Sequence, residues 1–103
     1  MYFKKKSGID LSYEAQGLIH FVSVNYKYMD NKVQELIKQA CRAAGGEYYE
    51  ALFELVTTRK TVTAIALKYS MSRETLYRCQ RRYFTQMAKL AKETHTESDK
   101  TDT

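Results

Sequence analysis

The chain of 103 residues lacks proline and tryptophan, and it has only four glycines and two cysteines. Without proline, nothing forces an interruption in long helical stretches, and few glycines leave few points of free turning. The chain also lacks an apolar run of about 20 residues, which a membrane-spanning helix needs. These absences favour one all-α domain, too small for an enzyme cleft supported by several layers.

The cysteines and histidines form no metal-binding pattern. Cys41 and Cys79 lie far apart on apolar helical stripes, so buried thiols are favoured over a metal ligand or a disulfide. His95 lies in a polar segment, and His20 lies inside a short apolar run. We find no glycine-rich phosphate loop, no paired carboxylates outside solvated helix faces and no Cys-His spacing that would indicate catalysis. The sequence predicts a protein that is not an enzyme and that needs no metal or cofactor.

The basic first residues do not resemble a secretory signal. Residues 1–8 contain three lysines but are followed by Asp10 and Glu14, without a continuous apolar segment or a small-residue cleavage site. We therefore expect a cytoplasmic protein with reduced thiols and no membrane partner.

Positive charge is concentrated in one part of the chain. The net charge is +5, yet residues 1–58 hold seven Lys or Arg and seven acids. Residues 59–90 hold eight Lys or Arg against Glu74 alone, and residues 91–103 hold two against four acids. A run of charge is usually a solvated face, but this excess is also typical of a surface that displaces counterions from phosphates.

Apolar spacing predicts two helices in the first half of the chain. The first covers residues 12–28, although its β-branched and aromatic residues are also compatible with a β-strand. Its inward face is predicted to hold Leu18, Ile19, Val22 and Tyr26. The second covers residues 32–44, where apolar residues recur at helical spacing from Val33. Asp30 can cap its start, and Gly45-Gly46 ends it.

A tighter pattern over residues 62–81 predicts two short helices joined by a polar turn, the outline of a helix-turn-helix. Thr61 can cap the first of these helices and Ser72 the second, while Ser70 closes the first, with strain if its φ is positive. The small core between them is predicted to contain Ile65, Tyr69, Met71, Leu76 and Cys79. A supporting helix over residues 47–57 is predicted to face inward at Tyr48, Leu52, Leu55 and Val56.

The last helix is predicted to continue past this motif, because apolar spacing persists from Leu76 to Leu90. We expect the N-terminal helices to cover this stripe, and a contact between copies of the chain is the alternative. Residues 92–103 are polar and are predicted to be a disordered tail. The predicted architecture is one small all-α domain over residues 1–91, with a trihelical helix-turn-helix module at 47–90.

The outer face of the second motif helix carries the candidate DNA-binding residues, because the start of that helix enters the major groove. Arg73 and Arg78 are predicted to reach guanine edges, and Glu74 a cytosine amino group. Tyr77 suits a thymine methyl or a phosphate, or equally a partly exposed packing position. Four further candidates are better placed for phosphates: Lys68, Thr75, Arg81 and Arg82. Ser72 also belongs to this outer face.

Residues 50–91 also contain a set of positions with a recognisable spacing: Ala51-Leu52, Lys68-Tyr69-Ser70-Met71, Tyr77, Arg82 and Leu90-Ala91. This pattern resembles the bacterial adhesin-biosynthesis regulators that control fimbrial operons. The resemblance implies a small, oligomerising protein that binds double-stranded DNA at AT-rich repeats, with the minor groove as an alternative to the major groove. The three-helix outline is also similar to region four of sigma factors and to small activators of phages and mobile elements.

Two functions of different classes follow from these observations. The first is a sequence-specific transcription regulator that binds double-stranded DNA, as a homodimer or homo-oligomer. The second is a protein-interaction module that uses the same trihelical surface to bind RNA polymerase or another regulator. The arginines among residues 73–82 favour DNA, because a protein-binding face would be more apolar.

Overall fold

The computed structural model describes the backbone of residues 11–101 and the side chains of residues 11–91. Five α-helices follow one another: α1 (Tyr13–Val24), α2 (Asn31–Gly45), α3 (Tyr49–Thr57), α4 (Val62–Lys68) and α5 (Arg73–Thr101). Short 3-10 turns over Tyr26–Tyr28 and Gly46–Tyr48 precede α2 and α3. No strand occurs among residues 11–101, so the all-α prediction is confirmed and the strand alternative for the first segment is wrong.

The helices begin and end at residues with the expected capping chemistry. The Asp30 carboxylate accepts a hydrogen bond from the Val33 amide at 3.0 Å, and the Thr61 hydroxyl accepts one from the Ala64 amide at 3.1 Å. Gly46, just beyond α2, has a φ of 54°, which glycine adopts without a Cβ clash. Local sequence therefore fixes where α2 and α4 start and where α2 stops.

The larger core lies where α1, α2, α3 and α5 meet, with α5 packed along α2. The apolar stripe of α5 is buried in this core and in the smaller one described below: Leu76, Cys79, Tyr83, Phe84 and Met87. The expectation that N-terminal helices cover the stripe is confirmed from Cys79 to Met87, whereas Leu76 is covered by α3 and α4. Because the stripe is buried within one chain, it is not available as a contact between copies.

The face through which α1 packs overlaps the predicted one but also includes polar residues. Its buried residues are Gln16, Ile19 and Ser23, and two of these are polar. The Ser23 hydroxyl donates to the Ile19 carbonyl at 2.6 Å and shares a 2.6 Å hydrogen bond with the Tyr83 hydroxyl, so its burial leaves no group unpaired. Leu18, predicted to face inward, is instead 65% exposed. Ile19 is buried, and Val22 and Tyr26 pack against the larger core as predicted. The placement of Leu18 is wrong, because the side of α1 that carries Gln16 and Ser23 is buried and Leu18 lies away from it.

The start of α3 also differs from the prediction. The chain forms a 3-10 turn over Gly46–Tyr48, and α3 begins at Tyr49. Tyr48, predicted to face inward, is 37% exposed. Tyr49 is half-buried instead, and its ring stacks on Phe53 with the centroids 5.9 Å apart. The 3-10 turn changes the helical phase, which exchanges the two adjacent tyrosines.

At the other end of the chain, the backbone of α5 is helical as far as Thr101, whereas the sequence predicts a disordered tail from Lys92. Residues 92–101 contain neither proline nor glycine, so no residue there disfavours continuation of the helix. Residues 102 and 103 of the predicted tail, and the basic residues 1–8, lie outside the described part. No helix within the described residues is long and apolar enough to cross a membrane.

Candidate nucleic-acid interface

α3, α4 and α5 all contact one another and enclose a second, smaller core. Its buried residues are Ala51, Leu55, Ile65, Ala66 and Leu76, with Val62, Tyr69 and Met71 packed at its edge. Ala66 of α4 is 3% exposed, and its small side chain lies in the core where α4 packs against α3 and α5. Four of the five residues predicted for this small core are therefore found in it.

Cys79, the fifth residue, belongs to the larger core. It lies almost one turn beyond Leu76 on α5, past the region that α4 covers. Burial raises the pKa of the Cys79 thiol, although Arg82 and Arg78 act to lower it. Burial also raises the pKa of Cys41, to about 12. Both cysteines are free and buried, which confirms the prediction of buried thiols and makes neither a reactive thiolate.

The turn between α4 and α5 is stabilised by two backbone hydrogen bonds. The Met71 amide donates to the Ala66 carbonyl at 3.0 Å, and the Ser70 amide donates to the Leu67 carbonyl at 3.3 Å. These are the paired bonds of a Schellman motif, which requires a left-handed residue at the helix end. Ser70 occupies that position with a φ of 52°. The predicted strain at Ser70 is thus present, and the next helix begins three residues later, at Arg73.

The first turn of α5 is fixed by side chains predicted as DNA contacts. The Ser72 hydroxyl accepts from the Thr75 amide at 3.1 Å and donates to the Thr75 hydroxyl at 2.8 Å. Ser72 therefore caps the helix as predicted. Thr75 is half-buried, while Glu74 is exposed in the positive first turn. Ser72 and Thr75 position the helix start and direct their hydroxyl groups at each other.

The solvent side of α5 carries five exposed cations, which we call the basic face: Arg73, Arg78, Arg81, Arg82 and Lys89. Arg73 and Arg81 flank Tyr77 at spacings of four along one edge, and Tyr77 is 45% exposed. Arg78 and Arg82 form the other edge, opposite the buried stripe. No ion pair among the described side chains involves any of these five cations. Glu74 is the sole acid among residues 59–90.

Lys68, the remaining predicted residue, is engaged elsewhere. Its Nζ lies 2.8 Å from Glu54 Oε1, and Lys60 Nζ lies 2.7 Å from Glu54 Oε2. The Tyr69 hydroxyl donates a third hydrogen bond to Glu54 Oε1 at 2.8 Å. The hydrogen bonds from Lys60, Lys68 and Tyr69 lower the pKa of Glu54 to about 2, so it is ionised at neutral pH. We call these four residues the Glu54 cluster.

The nine predicted residues therefore divide into three groups. Arg73, Glu74, Tyr77, Arg78, Arg81 and Arg82 share the exposed side of α5. Ser72 and Thr75 form the cap, and Lys68 belongs to the Glu54 cluster. The sequence pattern did not indicate Lys89 or the other three residues of the cluster as site residues. The residue separations within the cluster, 6, 14 and 15, match no local helical pattern.

Comparison with known proteins identifies no relative: no family model, no curated protein and no solved structure matches this chain. The described residues contain no group of three or more His, Cys, Asp or Glu side chains placed to hold a metal ion.

Proposed function

We propose that this protein is a sequence-specific DNA-binding transcription regulator, with α3, α4 and α5 acting as a trihelical helix-turn-helix. The observation that supports this most strongly is the basic face, where five exposed cations have no acidic partner among the described side chains. Cations left without a carboxylate are suited to phosphate oxygens, whose binding releases counterions. The face lies on the helix that follows a tight turn, as a recognition helix does.

In this proposal the start of α5 enters the major groove. Arg73 and Arg78 donate to guanine edges, Glu74 accepts from a cytosine amino group, and Tyr77 packs on a thymine methyl or donates to a phosphate. Arg81 and Arg82 lie about two turns further along α5, where they contact phosphates and fix the position of the helix. Binding in the minor groove is the alternative raised by the resemblance to fimbrial regulators.

We further propose that the protein binds DNA as a homodimer or homo-oligomer, because one small module contacts few base pairs and paired modules gain affinity by linkage. The buried α5 stripe cannot serve this assembly. We also propose a cytoplasmic location, because a transcription regulator must reach DNA.

The proposal is tested by fluorescence anisotropy of a labelled mixed-sequence duplex at several salt concentrations. Wild-type protein should bind with an affinity that falls steeply as salt rises, by about 0.9 in log-log slope for each phosphate contacted. Arg73→Ala/Arg78→Ala should weaken binding at least tenfold at low salt, since both guanidinium groups are lost from the start of α5.

Lys27→Ala/Lys32→Ala is the matched control, because it removes the same charge from two exposed positions far from α5 in sequence. It should bind like wild type, since neither lysine belongs to the basic face. Equal weakening by both double variants would show only a general dependence on net charge. No binding by folded wild-type protein at low salt would contradict the proposal and favour RNA polymerase or another protein as the partner.

A further inference from the structure

The Glu54 cluster connects three elements through one carboxylate. Glu54 lies on α3, Lys60 lies in the α3–α4 connection, and Lys68 and Tyr69 lie at the end of α4. The seven-residue helix α4 is thus held at both of its ends. The Tyr69 hydroxyl bond orients the carboxylate, so each lysine meets a separate oxygen atom.

The cluster also determines whether Lys60 and Lys68 are free to bind another anion, such as a phosphate. Both lysines are otherwise accessible, with side chains 55% and 56% exposed, whereas the Glu54 side chain is only 15% exposed. A single exposed ion pair contributes little, but a shielded carboxylate with three donors is a network with a fixed geometry. Lys60 and Lys68 are therefore already paired, unlike the cations of the basic face.

From this arrangement we infer that Glu54 withholds Lys60 and Lys68 from DNA phosphates and so limits the contacts that carry no sequence information. The inference rests on the proposed DNA-binding function, in which the helix before the recognition helix crosses the phosphate backbone. Two further phosphate contacts would strengthen binding to every sequence equally. Because Glu54 pairs with both lysines, the affinity for DNA depends on the basic face. Glu54 thereby limits sequence-independent binding and acts as a specificity-determining residue.

The test substitutes Glu54 without removing the hydrogen bond that orients it. In Glu54→Gln the amide oxygen can still accept from Tyr69, but both lysines lose their ionic partner. Anisotropy titrations should show a log-log salt slope about 1.8 steeper than wild type, from two added phosphate contacts. Glu54→Gln/Lys60→Gln/Lys68→Gln should return the slope to the wild-type value. A purely structural role of Glu54 would weaken binding and would not steepen the slope.

Glu50→Gln is the matched control on the same helix, because it removes one exposed acid without releasing a lysine. Its slope should equal that of wild type. A second comparison leaves Glu54 intact, in case Glu54→Gln fails to fold by circular dichroism. Lys60→Gln should not change the wild-type slope, whereas Arg82→Gln should make it about 0.9 shallower.

The possible results separate the inference from the proposal on which it rests. Failure of wild-type protein to bind any duplex overturns the DNA-binding function itself. Wild-type binding that depends on the basic face, with no steeper slope in folded Glu54→Gln, overturns the inference alone. A loss of slope in Lys60→Gln equal to that in Arg82→Gln also overturns it, because Lys60 would then already contact phosphate.

Discussion

At the scale of single residues, Ser70 controls the connection between α4 and α5. It is the sole non-glycine residue with positive φ in the described part of the chain. A left-handed backbone costs an L-residue with a Cβ about 1–2 kcal/mol. The two backbone bonds of the turn and the Met71 side chain packed at the small core hold Ser70 in this conformation.

Ser70→Gly should therefore raise the free energy of unfolding by about 0.5 kcal/mol. Glycine removes the left-handed strain, of about 1–2 kcal/mol, but adds about 0.5–1 kcal/mol of chain entropy to the unfolded state. Urea denaturation followed by circular dichroism measures the difference. Ala64→Gly, at an exposed position within α4, is the control and should lose about 1 kcal/mol. Equal destabilisation by both glycines would refute strain at Ser70.

Residues whose roles depend on near neighbours in sequence were predictable. Ser72, Thr61 and Asp30 act as caps within three residues of their partners, so the amino-acid type and position suffice. Glu54 was not predictable, because its hydrogen-bond partners lie 6 to 15 residues away and meet it only after α4 has packed on α3. For the same reason, the sequence could assign Lys68 to phosphate contact without indicating its carboxylate partner.

At the scale of elements, α5 combines two functions on opposite sides. Its inner side fills both cores, and its outer side carries the basic face. The helical period made both sides predictable, because the apolar and charged positions alternate with that spacing. In α1 the inward positions of Ile19 and Val22 were predictable from their apolar character, but the burial of Gln16 and Ser23 was not, because both are polar. Their burial depends on hydrogen bonds that form only in the folded chain.

The hydrogen bond between Ser23 and Tyr83 should couple α1 to α5. Tyr83→Phe should lower the free energy of unfolding by about 1 kcal/mol, and Ser23→Ala by about 1–3 kcal/mol because it leaves a buried phenol unpaired. The double variant should lose about 1 kcal/mol less than the sum, in a cycle measured by urea denaturation. Tyr28→Phe, at a 73% exposed ring, should have no measurable effect. Additive losses would show that the two hydroxyl groups are not coupled.

In the molecule as a whole, the boundary between the two cores does not coincide with the boundary between the neutral and the basic part of the chain. The larger core joins α1 and α2 to α3 and α5, while the smaller core joins α3 and α4 to the start of α5. Residues 1–58 are neutral overall, and positive charge is concentrated in residues 59–90. The N-terminal helices α1 and α2 thus pack against the helix that carries the basic face, although their own part of the chain has no net charge. The uneven distribution of charge is predictable from the sequence alone, whereas the division into two cores is not.

The proposed binding of double-stranded DNA to the solvent side of α5 can be observed residue by residue. The most direct measurement is a titration of ¹⁵N-labelled protein with a mixed-sequence duplex, followed by amide chemical shifts in two-dimensional NMR spectra. If DNA binds there, the largest shift changes should cluster at residues 72–82, and the amides of α1 and α2 should change least. Unchanged spectra at low salt, or changes confined to α1 and α2, would contradict the proposed binding.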